Sequence, residues 1–121
     1  MNRIPILKLR SILIASIQTE LTDEEATAFQ SDLLHENADS QAKGIVIDVS
    51  VLDVIDSYMA KILNDLTRAV RLQGSDVVLC GVQPAVASTL LDMGMILSDI
   101  DTFLSLEHAF DFLLARREAL G

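Results

Sequence analysis

The apolar run Gly44-Ile45-Val46-Ile47-Asp48-Val49 fixes the class of fold for this chain of 121 residues. It is rich in β-branched side chains, begins at a glycine and lacks the polar alternation of a half-exposed strand, so it predicts a strand buried on both faces. A second run of this kind, Asp76–Cys80, follows after a helical pattern. Buried strands that alternate with helices form mostly parallel sheets through right-handed crossovers, so we expect an α/β fold.

Two predicted helices lie on either side of the second strand. The first has one apolar face, and Gly74 lies just past it, where a C-terminal glycine belongs. The residues of that face are Met59, Ile62, Leu63, Leu66 and Val70. The second helix opens at Gln83-Pro84, because proline is tolerated in the first helical turn. Its spacing predicts an end at Gly94 and an inner face of Val86, Leu90 and Met93.

The N-terminal part of the chain predicts a hairpin and a further helix. Ile4–Leu9 and Ser11–Ile17 are short apolar runs that lie close together, and Pro5 marks the first as an edge strand. Thr22 is followed three residues later by Glu25, which is the spacing of a capping box at a helix start.

The C-terminal part predicts a short strand at Thr102–Leu104 and a final helix that begins near Leu106. The element order is then β-β-α-β-α-β-α-β-α. We expect a mostly parallel sheet of four to five strands, with an N-terminal antiparallel hairpin and four flanking helices. A chain of this length is the usual size of one domain, so we expect residues 1–121 to form a single domain.

Composition limits the partners and the compartment. The formal net charge is −9, and a field of that sign repels phosphate backbones and anionic lipids, so we expect no nucleic-acid and no membrane partner. No apolar stretch approaches the roughly 20 residues of a membrane span. Met1–Pro5 lacks the pattern of a signal peptide, and we expect it to be part of the fold. The single cysteine, Cys80, fits a reducing, cytoplasmic environment.

Enzymatic motifs are absent from the sequence. There is no glycine-rich dinucleotide loop and no Walker A motif, and the acidic pair and late lysine of a phosphoaspartate receiver are missing. Cys80 lies in an apolar strand, which favours a buried hydrophobe over a nucleophile. Asp32, His35 and Asp39 share one helix face, and a solvated surface is the simpler interpretation. We therefore expect no enzyme activity, no cofactor and no metal, with a small α/β enzyme as the weaker alternative.

One segment stands out, the ten residues from Asp48 to Ser57. It leaves the carboxyl end of a buried strand and enters the first turn of a helix, and this edge of an open α/β sheet usually carries function. Either Asp56 or Ser57 is the natural N-cap. The sequence predicts a serine hydroxyl exposed at the helix start, and leaves open whether Ser57 does more than cap the helix.

This segment resembles the central motif of STAS domains, the fold of anti-sigma-factor antagonists. The matching residues are Val46-Ile47-Asp48-Val49-Ser50 and Val51-Leu52-Asp53-Val54-Ile55-Asp56-Ser57. In that family the serine of the Asp-Ser pair is phosphorylated by a partner kinase of the GHKL type. The resemblance therefore implies that Ser57 is a phosphoacceptor, with Asp56 beside it.

Two further segments resemble the RsbS class of STAS domains. They are the hairpin, with Ile4-Pro5-Ile6-Leu7-Lys8-Leu9 and Ala15-Ser16-Ile17-Gln18, and the late segment Gly81-Val82-Gln83-Pro84-Ala85-Val86-Ala87, with Thr89-Leu90 and Met93-Gly94. This resemblance implies a stressosome scaffold that forms homo- and hetero-oligomers with RsbR-type paralogues. It also implies an RsbT-like switch kinase, released when Ser57 is phosphorylated, and a phosphatase that resets the serine.

The expected partner-binding surface is Asp53, Asp56, Ser57 and Lys61. The carboxylates make this patch negative, so a partner docked there must accept a doubly charged phosphoserine or leave. The alternative function is a SpoIIAA-like antagonist, which has the same kind of serine but binds an anti-sigma kinase directly instead of building a shell.

Overall fold

The computed structural model describes residues 4–94 and 101–119. Within these ranges the strands are β1 (Ile6–Leu9), β2 (Ile12–Ser16), β3 (Gly44–Asp48), β4 (Asp76–Cys80) and β5 (Asp101–Phe103). The helices are α1 (Asp23–Ser40), α2 (Ser57–Leu72), α3 (Pro84–Asp92) and α4 (Leu106–Ala119). The order is the predicted one. Residues 1–3, which the sequence assigns to the fold, lie outside the described residues.

The strands form one sheet in the order β1-β2-β3-β4-β5. β1 pairs with β2 antiparallel, and β2, β3, β4 and β5 pair in parallel. The expected mixed sheet with an N-terminal hairpin is therefore confirmed. β1 lies at one edge of this sheet, as Pro5 predicts.

β3 is the centre of the sheet and is covered on both faces. Ile45 and Ile47 pack in the core beneath α1, α2 and α3, whereas Val46 packs against Ala109 and Leu113 of α4. None of the three β3 side chains is exposed. This two-sided burial is why the run is apolar throughout and does not alternate.

The predicted helix starts are confirmed. Thr22 caps α1, its hydroxyl accepts the amide of Glu25 at 3.1 Å, and the Glu25 carboxylate accepts the amide of Thr22 at 3.0 Å. Both partners satisfy amides that the helix itself leaves unpaired. Pro84 occupies the first helical position of α3, with Gln83 as its N-cap.

The inner face of α3 is only partly as the spacing predicts. Val86 and Leu90 are buried, but Met93 is 40% exposed, so its predicted place in the core is wrong. The helix ends at Asp92 and Met93 is its C-cap. The amide of the buried Asn64 in α2 donates to the carbonyl of Met93 at 3.1 Å. This contact satisfies a carbonyl at the helix end.

Leu90→Ala should lower the free energy of unfolding by about 2–5 kcal/mol, the range for a large-to-small change in a core. Leu90 is 2% exposed, whereas its neighbour Leu91 in the same helix is 45% exposed. Leu91→Ala is the matched control and should change stability by less than about 1 kcal/mol. Urea titration of both variants measures the difference, and equal effects would mean that the α3 core contact is misplaced.

Candidate functional site

The loops that follow the parallel strands gather at one edge of the sheet. The carboxyl ends of β2, β3, β4 and β5 all meet there, which is the edge where open α/β sheets place their functional groups. The loop of residues 49–56 leaves β3, and Ser57 begins α2 at its far end. The predicted segment therefore lies at the predicted edge.

Asp56, and not Ser57, caps α2. Its backbone is extended, with φ −83° and ψ 172°, and its carboxylate accepts the amide of Met59 at 2.8 Å. Ser57 is the first helical residue and is exposed. Within residues 4–94 and 101–119 its hydroxyl has no hydrogen-bond partner. The structural role that the sequence left open for Ser57 is thus performed by its neighbour.

The charges around Ser57 are mostly negative. Asp53 and Asp56 are both exposed on the loop before α2. Lys61 lies one turn along the helix, where its ammonium pairs with Asp65 at 2.8 Å. That hydrogen bond, and the charge of Asp65, raise the pKa of Lys61. Lys61 is therefore directed to the next turn of α2, and its predicted part in partner binding stays a prediction.

The start of the loop is held by polar contacts that sequence reasoning missed. The amide of Ser50 donates to the Asp48 carboxylate at 2.9 Å, and the side-chain amide of Gln83 donates to the Ser50 carbonyl at 2.9 Å. Gln83 makes no capping hydrogen bond to α3 although it is the N-cap. Glutamine is not a preferred N-cap. Its presence at this position is the sequence feature that could have suggested that the Gln83 side chain contacts another segment.

Gly81 packs directly against the same loop. Its φ is +73°, and a Cβ at this position would lie 2.3 Å from Cβ and 2.6 Å from Cα of Ser50. Its amide donates to the carbonyl of Phe103 at 2.8 Å, which ties the turn to β5. Only glycine fits this close approach, and the β4–α3 turn thereby sets where the loop begins.

Cys80 is not available for chemistry. It is 1% exposed at the end of β4, and burial, with the negative charge of Asp48, raises the pKa of its thiol to about 12. The thiol therefore stays protonated at neutral pH, and the interpretation as a buried hydrophobe is confirmed.

His35 hydrogen-bonds the Ser31 carbonyl at 2.8 Å. In the described ranges no three His, Cys, Asp or Glu side chains converge on a metal position.

The sequence profile of STAS domains matches residues 3–109. The chain belongs to the STAS domain family. It is also similar to a solved RsbS of Moorella thermoacetica that carries a serine-to-glutamate substitution. The identity is 39%, the TM-score is 0.85, and the match covers 95% of this chain and 99% of that one. The resemblance to STAS domains, and within them to RsbS, is confirmed.

Two further relatives extend the comparison. A chain from the molecular architecture of the stressosome, described as a signal integration and transduction hub, is 36% identical, with a TM-score of 0.82 and coverage of 93% of this chain and 98% of that one. The RsbT co-antagonist protein RsbRA of Bacillus subtilis (strain 168) is 26% identical over 99 residues, which are 82% of this chain and 35% of RsbRA. The chain thus spans about a third of the length of that relative. Among residues 4–94 and 101–119, no helix has the length and apolar character needed to cross a bilayer.

Gly81→Ala and Gly74→Ala form a matched pair of substitutions. Both glycines have positive φ, but a Cβ at Gly74 meets nothing within 4 Å, whereas at Gly81 it overlaps Ser50. Gly74→Ala should cost about 1–2 kcal/mol from the left-handed backbone alone. Gly81→Ala should cost about 1–3 kcal/mol more, from overpacking. Urea titration measures the loss of stability in both variants. Equal losses would mean that the loop around Ser50 moves to accommodate a Cβ at position 81 without cost.

Proposed function

We propose that this STAS domain is a phospho-switched scaffold of a stress-signalling complex. It holds an RsbT-like switch kinase and releases it once the kinase has phosphorylated Ser57. The observation that carries the proposal is the exposed Ser57 hydroxyl at the first residue of α2, beside an aspartate that already caps the helix. The similarity to RsbS and to a stressosome chain supports it.

The chemistry resides in the kinase, and this chain supplies the acceptor. The Ser57 oxygen attacks the γ-phosphorus of a nucleoside triphosphate that the kinase holds. The bond from that phosphorus to the β–γ bridging oxygen breaks, the diphosphate leaves, and the hydroxyl proton passes to a base of the kinase. A phosphatase returns the serine by hydrolysis. The scaffold itself turns over no substrate.

The fold should tolerate the modified serine. A phosphoserine adds a charge of about −1.5 to −2. At the amino end of α2 the helix dipole favours such a charge, by about 0.3–1 kcal/mol. Because the cap hydrogen bond belongs to Asp56, phosphorylation of Ser57 breaks no contact on which the helix start depends.

The kinase should bind the modified scaffold less well. Its surface must lie close enough to Ser57 for transfer, so it fits a neutral hydroxyl, and the new charge arrives beside Asp53 and Asp56. Each pair of unit charges at about 4 Å costs about 1 kcal/mol in water and several times more once a partner excludes water. The nucleotide phosphates in the kinase repel the new charge, and excluding water from it beside Asp53 and Asp56 costs further free energy in the complex, so dissociation is favoured. Affinity is usually lost through a faster off-rate.

The proposed assembly is a shell that this chain builds with RsbR-type paralogues in the cytoplasm. RsbRA, which is similar over most of this chain, is named an RsbT co-antagonist, and this supports an RsbT-like kinase as the common partner. A SpoIIAA-like antagonist would instead bind its kinase as a small complex.

The size of the assembly distinguishes the shell-forming scaffold from the SpoIIAA-like antagonist. Gel filtration with light scattering should show a large assembly when the purified chain is mixed with an RsbR-type paralogue. A mixture that remains a monomer or dimer, and that forms only a small complex with the kinase, would favour the SpoIIAA-like function.

Phosphorylation should occur at Ser57, and three forms of the protein test it. Ser57→Ala should bind the kinase but accept no phosphate, whereas Ser57→Asp and the enzymatically phosphorylated protein should bind it at least about tenfold more weakly. Ser50→Ala is the matched control, because Ser50 is an exposed serine of the same loop, and it should be labelled like the parent protein.

Labelling, site mapping and affinity measurement decide the outcome. Phosphate found on another residue would contradict the assignment of Ser57. Equal affinity for the phosphorylated and unmodified proteins would contradict the switch, even if Ser57 is the acceptor.

A further inference from the structure

An apolar groove lies beside the start of α2. It has a volume of about 230 Å³ and runs between the β2–α1 loop and the loop that leads to Ser57. Its lining includes three buried side chains, those of Ile17, Leu52 and Met59. Val54 also lines it and is 52% exposed. We call this feature the Val54 groove.

The size of the Val54 groove favours a protein side chain as its occupant. Pockets for cofactors and drug-sized ligands span about 300–1,000 Å³, and this groove is smaller. A volume of this order accepts one large aliphatic or aromatic side chain from a partner. Side chains that anchor in apolar pockets of this kind often contribute most of the binding energy of an interface.

The rim of the groove selects the charge of that partner. Glu20 and Asp56 line the groove, and among the described residues that line it none is a lysine or an arginine. A segment with a basic residue next to its apolar anchor therefore matches both the groove and its rim. A second copy of this chain fits poorly, because its own net charge is −9.

The groove is continuous with the phosphoacceptor site. Asp56 lines the groove and also caps α2 immediately before Ser57. We infer that the kinase that phosphorylates Ser57 docks an apolar side chain, flanked by lysine or arginine, in the Val54 groove. This inference rests on the proposed function and adds to it a docking site distinct from the acceptor hydroxyl.

Val54→Asp and Val51→Asp test the inference as a matched pair. Both valines are 52% exposed in the same loop, and only Val54 lines the groove. A carboxylate at the groove should raise the KM of the kinase for this protein about tenfold or more, because the anchor then meets an unpaired charge. The kcat should stay within about twofold, since Ser57 remains in place on α2. Val51→Asp should leave both constants near the parent values.

The charge of the rim has its own test. Glu20→Gln should raise KM by about threefold at low salt, and the difference from the parent protein should shrink as salt increases. If the KM of Glu20→Gln is lower than or equal to that of the parent protein, the proposed lysine or arginine beside the anchor of the kinase is contradicted. Val54→Ser, which shortens the side chain without adding charge, replaces Val54→Asp if circular dichroism shows that the aspartate variant is unfolded, and it should also raise KM.

The outcomes separate this inference from the proposed function. If the parent protein is not phosphorylated at Ser57, the proposed function fails. If the parent is phosphorylated and the two valine variants have equal KM values, the groove is not the docking site while the switch stands. If Val54→Asp changes the oligomeric state of the protein alone, the occupant is a second copy of this chain and the inference is overturned.

Discussion

Pairing of β3 on both of its edges, together with burial of both of its faces, is the constraint on which the other features depend. Its residues Ile45, Val46 and Ile47 have no exposed surface, so the strand cannot shift its register without placing core side chains against the wrong layer. Asp48 is therefore fixed at the carboxyl edge of the sheet, where it receives the Ser50 amide. The loop that presents Ser57 thus begins from an anchored point.

Most of the fold was predictable because its signals are local. The helical spacing in α2, the capping box at Thr22 and the proline of α3 each record a backbone preference within a few residues. The exposed position of Met93, at the end of α3, was not predictable in the same way. The side-chain amide of Asn64, from another helix, donates to the carbonyl of Met93. A contact between residues so far apart in the chain does not appear in the hydrophobic spacing of α3. Met93 therefore fitted the apolar spacing and yet lies outside the core.

In the candidate site, too, features set by local sequence were predictable and features set by contacts between distant segments were not. The exposed serine at a helix start was predictable from the order of strand, loop and helix, and the two possible caps were visible as Asp56 and Ser57. The support from Gln83 and Gly81 was not, because both belong to a turn that meets the loop only after β3 and β4 pair. The Val54 groove also depends on side chains from separate segments, and its shape exists only in the folded chain.

The buried, protonated thiol of Cys80 makes this protein convenient for spectroscopy. The chain contains one cysteine, and its pKa of about 12 and its burial keep it from reacting with maleimides near neutral pH. A cysteine introduced on the exposed helix start, as in Ser57→Cys, would then be the single reactive thiol without removal of the native one. A fluorophore or spin label placed there would sense the surroundings of the start of α2 without a second labelled position.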